Sequence, residues 1–99
     1  MSNTVRPQAV ASVRIDDGRV KATEWSFVPG AETGWHVHEF DYVIVPLTDG
    51  RLLLEEPGST ARKAELTHGI PYARKAGVEH NVVNDGAGEM RFLEIEIIE

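Results

Sequence analysis

Trp35–His36–Val37–His38–Glu39–Phe40–Asp41–Tyr42–Val43–Ile44–Val45–Pro46–Leu47 is rich in β-branched and aromatic residues, the composition of a strand. In extended backbone the side chains repeat every two residues. His36 and His38 therefore share one face and can grip a single ion. A third histidine, His80, arrives from far along the chain beside Gly77. Imidazole is a common ligand for zinc, copper, iron and nickel, and three of them leave room for water or substrate.

Working outward, the pattern is strand, turn, strand from end to end. Val10 to Asp16 alternates, and Asp17–Gly18 is a two-residue hairpin signal. Val20 to Val28 follows, with Trp25 and Phe27 on one face, until Pro29–Gly30 breaks it. After the run from Trp35 to Leu47, Asp49–Gly50 turns the chain into Arg51–Glu55, and Pro57–Gly58–Ser59 turns it again. Ala61 to Leu66 reads as a weaker strand, with helix as the minor alternative. Tyr72–Lys75, His80–Val83 and Met90–Ile98 complete the set. No window carries a helical stripe. Eight or nine short strands with regular turns indicate an all-β barrel or sandwich, and a closed barrel also hides its edges.

Ninety-nine residues suit one domain with one core. The reading is an N-terminal arm over residues 1–9, free or pairing with a partner, and a β-barrel domain over 10–99. Net charge is −6 and the ten basic residues are scattered, which argues against nucleic acid as a partner. The absence of cysteine excludes disulfides, thiolate metal sites and a cysteine nucleophile. Met1 to Val10 holds Pro7 and no long apolar core, so neither a signal peptide nor a membrane span is expected and a cytoplasmic location is the default.

With these residues in place, the chain resembles the cupin family. One cupin motif runs Gly, five residues, His, one, His, three or four, Glu, six, Gly; here Gly30, His36, His38 and Gly50 match. The second runs Gly, five, Pro, one, Gly, two, His, three, Asn; here Gly69, Gly77, His80 and Asn84 match. Two positions depart. Lys75 stands where the proline belongs, with Pro71 in another register. The glutamate, usually the fourth ligand, is missing: its two allowed spacings land on Tyr42 and Val43. Tyr42 has the parity of the histidines, whereas Glu39 and Asp41 have the opposite parity and would need a β-bulge to turn inward.

The resemblance implies a single small cupin barrel, a double-stranded β-helix of jelly-roll type. It also implies one divalent ion per chain held by His36, His38 and His80, with Tyr42, a bulged Asp41 or water in the glutamate's place. Iron, manganese, zinc and nickel are not distinguished. Three-histidine iron sites occur among cupin-like dioxygenases, and the segment His38 to Thr48 is similar to small bacterial cupins of β-alanine breakdown. The expected function is thus a metal-dependent, dioxygenase-like enzyme acting on a small molecule, with Tyr42 the candidate catalytic residue. Alternatives are a non-catalytic binding or sensing module and a Lewis-acid isomerase or lyase acting on a sugar or hydroxy acid. Small cupins commonly form dimers, so a homodimer is expected, with pairing of the apolar C-terminal strand to a second copy as the alternative to its reading as a half-buried strand of the barrel.

Around this centre, Glu32, Glu39, Asp41 and Glu79 are the candidates for orienting the imidazoles. Arg51, Arg74 and Lys75 are the nearest cations, each a surface charge on its own reading, one of them a possible clamp for a substrate carboxylate. His68 fits no motif slot and is read as a turn or surface histidine. Trp25, Phe27, Trp35, Phe40 and Phe92 are read as wall and core. Asn84 is assigned a loop hydrogen bond. Glu94 and Glu96 alternate with Leu93, Ile95 and Ile97, which reads as a half-buried strand with its acids in water.

Overall fold

The computed structural model describes residues 5–99. It contains nine strands: β1 Val10–Asp16, β2 Val20–Phe27, β3 His36–Val37, β4 Tyr42–Pro46, β5 Gly50–Glu56, β6 Thr60–Leu66, β7 Tyr72–Arg74, β8 Glu79–Asn84 and β9 Met90–Ile97. They form an antiparallel five-stranded sheet ordered β1-β2-β9-β4-β7 and a four-stranded sheet ordered β3-β8-β5-β6. The two sheets face each other as a jelly-roll barrel. The segment 61–66 is strand, β6 paired along its length with β5. Among the described residues no helix is long and apolar enough to cross a membrane.

Turn chemistry sets the hairpins. Gly18 takes φ of +84°, a conformation open to glycine at little cost, and Asp17 Oδ1 accepts the N–H groups of Arg19 and Val20 at 3.0 Å each. Strand parity then sets the core. Phe27, Tyr42, Ile44, Leu52, Leu54, Val82, Met90 and Phe92 point between the sheets and are buried. Burying a side chain of this size contributes roughly 1.5–3 kcal/mol. Gly50 is small because Met90 needs its space: a Cβ there would lie 2.7 Å from the Met90 sulfur.

Three expectations change. The run Trp35–Leu47 is not one strand. It splits into β3 in one sheet and β4 in the other, because the chain bends at Glu39–Phe40 to turn the barrel corner. His38 anchors that corner, donating its N–H to Val78 O and accepting from the Gly77 N–H. In β9 the parity is the reverse of the expected one: Met90 and Phe92 face inward, so Glu94 does too and lines the interior with them. Finally, of the N-terminal arm, Met1–Thr4 lie outside the described residues, and Arg6 to Ala9 are tied to their own chain. Glu32 N–H donates to Pro7 O, Ala9 N–H donates to Glu32 O, and Ala9 is buried.

Candidate metal centre

The short pairing of β3 with β8 puts His36 directly opposite His80, and His38 follows at the corner. The Nε2 atoms of His36 and His38 lie 3.1 Å apart and those of His38 and His80 3.2 Å. All three ligand atoms lie within 4.8 Å of one another. Metal–nitrogen bonds of about 2.1 Å would place two cis ligands about 2.9–3.4 Å apart. These two spacings fit that range.

Burial prepares the rings for a cation. His38 and His80 are 6% and 4% exposed. Burial pushes His38 down to about 4, with His36 and Arg74 adding to the effect. It pushes His80 down to about 3, with His36, His38 and Arg74 adding. Both rings are therefore neutral at pH 7, the form that donates a lone pair. The His36 orientation is fixed differently. Its Nδ1 lies 2.8 Å from the Gly34 carbonyl, which can only accept, so Nδ1 carries a proton and Nε2 is turned toward His38.

The cavity beside the rings is lined by Tyr42, Tyr72, Arg74, Phe92 and Glu94 as well as the histidines. Its free volume is about 20 Å³. Tyr42 stacks on His38 with ring centres 3.8 Å apart. Its hydroxyl is buried without a hydrogen-bond partner among the described residues, and burial pushes it up to about 12, so it carries its proton at neutral pH. Glu94 is the group that sequence reasoning missed. Burial, reinforced by the charge of Glu96, pushes it up to about 7. Its signal was available: Phe92, read as core, has the same parity.

Other candidates fall elsewhere. Asp41 is exposed and its Oδ1 accepts the Ala76 N–H at 2.8 Å, with no bulge turning it inward. Glu39 and Glu79 are exposed, and none of the four carboxylates named above bonds an imidazole directly. Of the three cations, Arg74 lines the cavity; Arg51 pairs with Asp85 at 3.0 Å, and Lys75 is exposed. His68 sits in an exposed turn, its N–H held by Asp49. Asn84 serves structure, donating to the carbonyls of Phe27 and Gly88 and accepting from Gly86 N–H. Trp35 is not core: it is 56% exposed and borders a surface groove of about 730 Å³ that none of the three histidines lines.

No family model matches the sequence. The beta-alanine degradation protein BauB of Pseudomonas aeruginosa is 60% identical over 92 residues, covering 93% of this chain and 96% of that protein. The crystal structure of a cupin domain from Bordetella pertussis superposes with a TM-score of 0.91 at 54% identity, covering 96% of this chain and 98% of that one. A cupin superfamily protein from Desulfitobacterium hafniense shares the fold at 18% identity and a TM-score of 0.71, over 99% of this chain and 84% of that one. By sequence identity over nearly its whole length, and by a barrel that brings three motif histidines together, this chain belongs to the cupin superfamily, in the family of BauB.

Proposed function

We propose that the chain is a metal-dependent enzyme acting on a small organic acid in β-alanine breakdown. The observation that carries this is the convergence of three imidazoles at 3.1 and 3.2 Å, with no fourth protein ligand grouped with them among the described residues. Structural sites are usually closed by four ligands, whereas three leave positions open. A divalent ion held there supplies Lewis acidity and, if it is iron, dioxygenase-like redox chemistry. The substrate assignment rests on the name of the 60% identical relative.

The chain's own residues have definite parts in this reading. Arg74, on the cavity wall, offers a bidentate partner to a carboxylate. Tyr42 presents a hydroxyl proton. Glu94, held near 7, is matched to taking and returning a proton at neutral pH. A cavity of about 20 Å³ has room for about one water, so an organic molecule must approach from the side on which His36 is half-exposed. The same reading has the chain acting as a homodimer through the outer face of the five-stranded sheet, where Val43 lies beside Ile95 and Val45 beside Leu93. A single-chain mass by light scattering removes that part.

The small cavity is also the observation that favours a second reading, a binding module with a regulatory metal. One experiment separates them. Protein loaded with ferrous iron is given β-alanine and other three-carbon acids while oxygen uptake and product are followed. Sustained uptake with product supports an oxygenase. Turnover under nitrogen with zinc points to isomerase or lyase chemistry instead. Saturable binding without turnover in either atmosphere refutes the enzyme.

A further inference from the structure

On the outer side of the four-stranded sheet lies a knot of charge that the metal site does not use. Arg6 Nη1 donates to Glu32 Oε1 at 3.1 Å and to Glu55 Oε1 at 2.9 Å, and Arg6 Nη2 donates to Glu55 Oε2 at 3.0 Å. Asn81 lies beneath, 2% exposed. Its Nδ2 donates to the same two carboxylates, at 2.8 Å to Glu32 and 2.9 Å to Glu55. Its Oδ1 accepts the backbone N–H of Gly34 at 2.9 Å. The carbonyl of Gly34, in the following peptide, takes the Nδ1 proton of His36.

Each link has a physical reason. Gly34 is in the left-handed region, φ +92°, and lies before the two-residue strand β3, so the ladder does little to fix the two peptides that meet at its Cα. A side-chain amide is suited to hold it, because it accepts on one end and donates on the other. Its donor end is turned toward two carboxylates, which repel each other unless a cation sits between them. Arg6 is that cation, and its fork reaches both. The Thr33 hydroxyl bonds the Gly34 carbonyl from a second side at 2.9 Å and accepts the Val82 N–H at 3.2 Å.

We infer that the Arg6–Glu32–Glu55–Asn81 knot is a positioning device for His36, fixing Gly34 through the peptide on its N-terminal side so that its carbonyl, in the following peptide, orients the ring and aims Nε2 at the metal position. The inference rests on the metal-site reading above. It gives the N-terminal arm a task at the site, although Arg6 lies 30 positions before the ligand it positions.

The test uses the full chain, with Arg6→Gln, Arg6→Lys and Asn81→Ala compared with the parent. Nitrogen-15 NMR of the metal-free protein reports the His36 ring, and competition with a chelating dye reports the affinity for zinc alone. Arg6→Gln and Asn81→Ala are expected to replace the single Nδ1–H tautomer of His36 with an averaged signal. They are also expected to weaken zinc binding by about 10- to 100-fold, the usual effect of losing support behind a ligand. Arg6→Lys, which keeps the charge and loses the fork, should fall between. Phe27→Leu, a core substitution away from the site, should lower thermal stability and leave both readouts alone.

An unchanged His36 signal with zinc affinity within about twofold of the parent, in both Arg6→Gln and Asn81→Ala, overturns the inference, because a positioning group should cost more. Equal losses in Phe27→Leu overturn it too. If Asn81→Ala does not fold, Arg6→Gln decides. A parent that binds no zinc sinks the metal reading, and the ring signal still decides whether the knot positions His36.

Discussion

Glu94→Gln tests the reversed parity of β9 and the character of the interior together. The carboxyl of Glu94 is held near 7 in the fold and returns to its ordinary 4.5 in the unfolded chain. Between those values the folded protein binds the proton and the unfolded chain releases it. Stability therefore falls as pH rises through that window, and the loss is complete above pH 7. At about 1.36 kcal/mol per pH unit, the cost is about 3 kcal/mol, a large part of the roughly 5–15 kcal/mol that holds a small domain folded. Glutamine has nearly the same shape and no charge, so the variant should be free of this slope. Urea unfolding of the metal-free proteins from pH 5 to pH 8 measures it. Titration of His38 and His80 runs the other way at lower pH, but it is common to both proteins and cancels in the difference. The variant is expected to gain about 3 kcal/mol on the parent between pH 5 and pH 8. Parallel curves would place Glu94 in water and refute the inward assignment.

Three further outcomes follow from other parts of the barrel. Tyr42→Phe removes a buried hydroxyl that has no partner among the described residues, so the metal-free variant should be equal to or more stable than the parent, by up to about 1–3 kcal/mol in thermal melts; a loss of that size would mean the hydroxyl is satisfied in solution. Asn84→Ala removes the partners of two carbonyls and one N–H, the Phe27 carbonyl among them buried, and should destabilise by about 2 kcal/mol or more in urea titrations; near-neutrality would contradict its structural role. Gly50→Ala pushes a methyl group into the Met90 sulfur and should cost about 1–3 kcal/mol in urea titrations, and less when introduced into a Met90→Ala background.

The alternation of Val20–Phe27, the turn residues at Asp17–Gly18 and Pro57–Gly58, and the two histidine motifs were enough to reach an all-β barrel and its three converging imidazoles. Those signals are local, or they rest on a spacing that the barrel closes. What stayed hidden was long-range. The corner at Glu39–Phe40 is made by backbone bonds to Gly77 and Val78, which no window around residue 40 contains. The parity of β9 was misread because Leu93, Ile95 and Ile97 are as apolar as a core face; in the fold they lie outside, and Met90 and Phe92 set the true phase. The tie of Arg6 to Glu32 and Glu55 joins residues 26 and 49 positions apart. The exposed ring of Trp35 likewise has no local signature, since it follows from β3 being an edge strand only two residues long.

The claim on which the rest depends is that one cation sits among His36, His38 and His80. It is tested most directly by elemental analysis and X-ray absorption on protein purified without chelators or added metal, beside His36→Ala, His38→Ala and His80→Ala. The account predicts about one divalent ion per parent chain, a first shell of imidazole nitrogens at about 2.1 Å, and sharp loss of metal in each variant. Full metal content in all three variants, or a shell without imidazole, would contradict it.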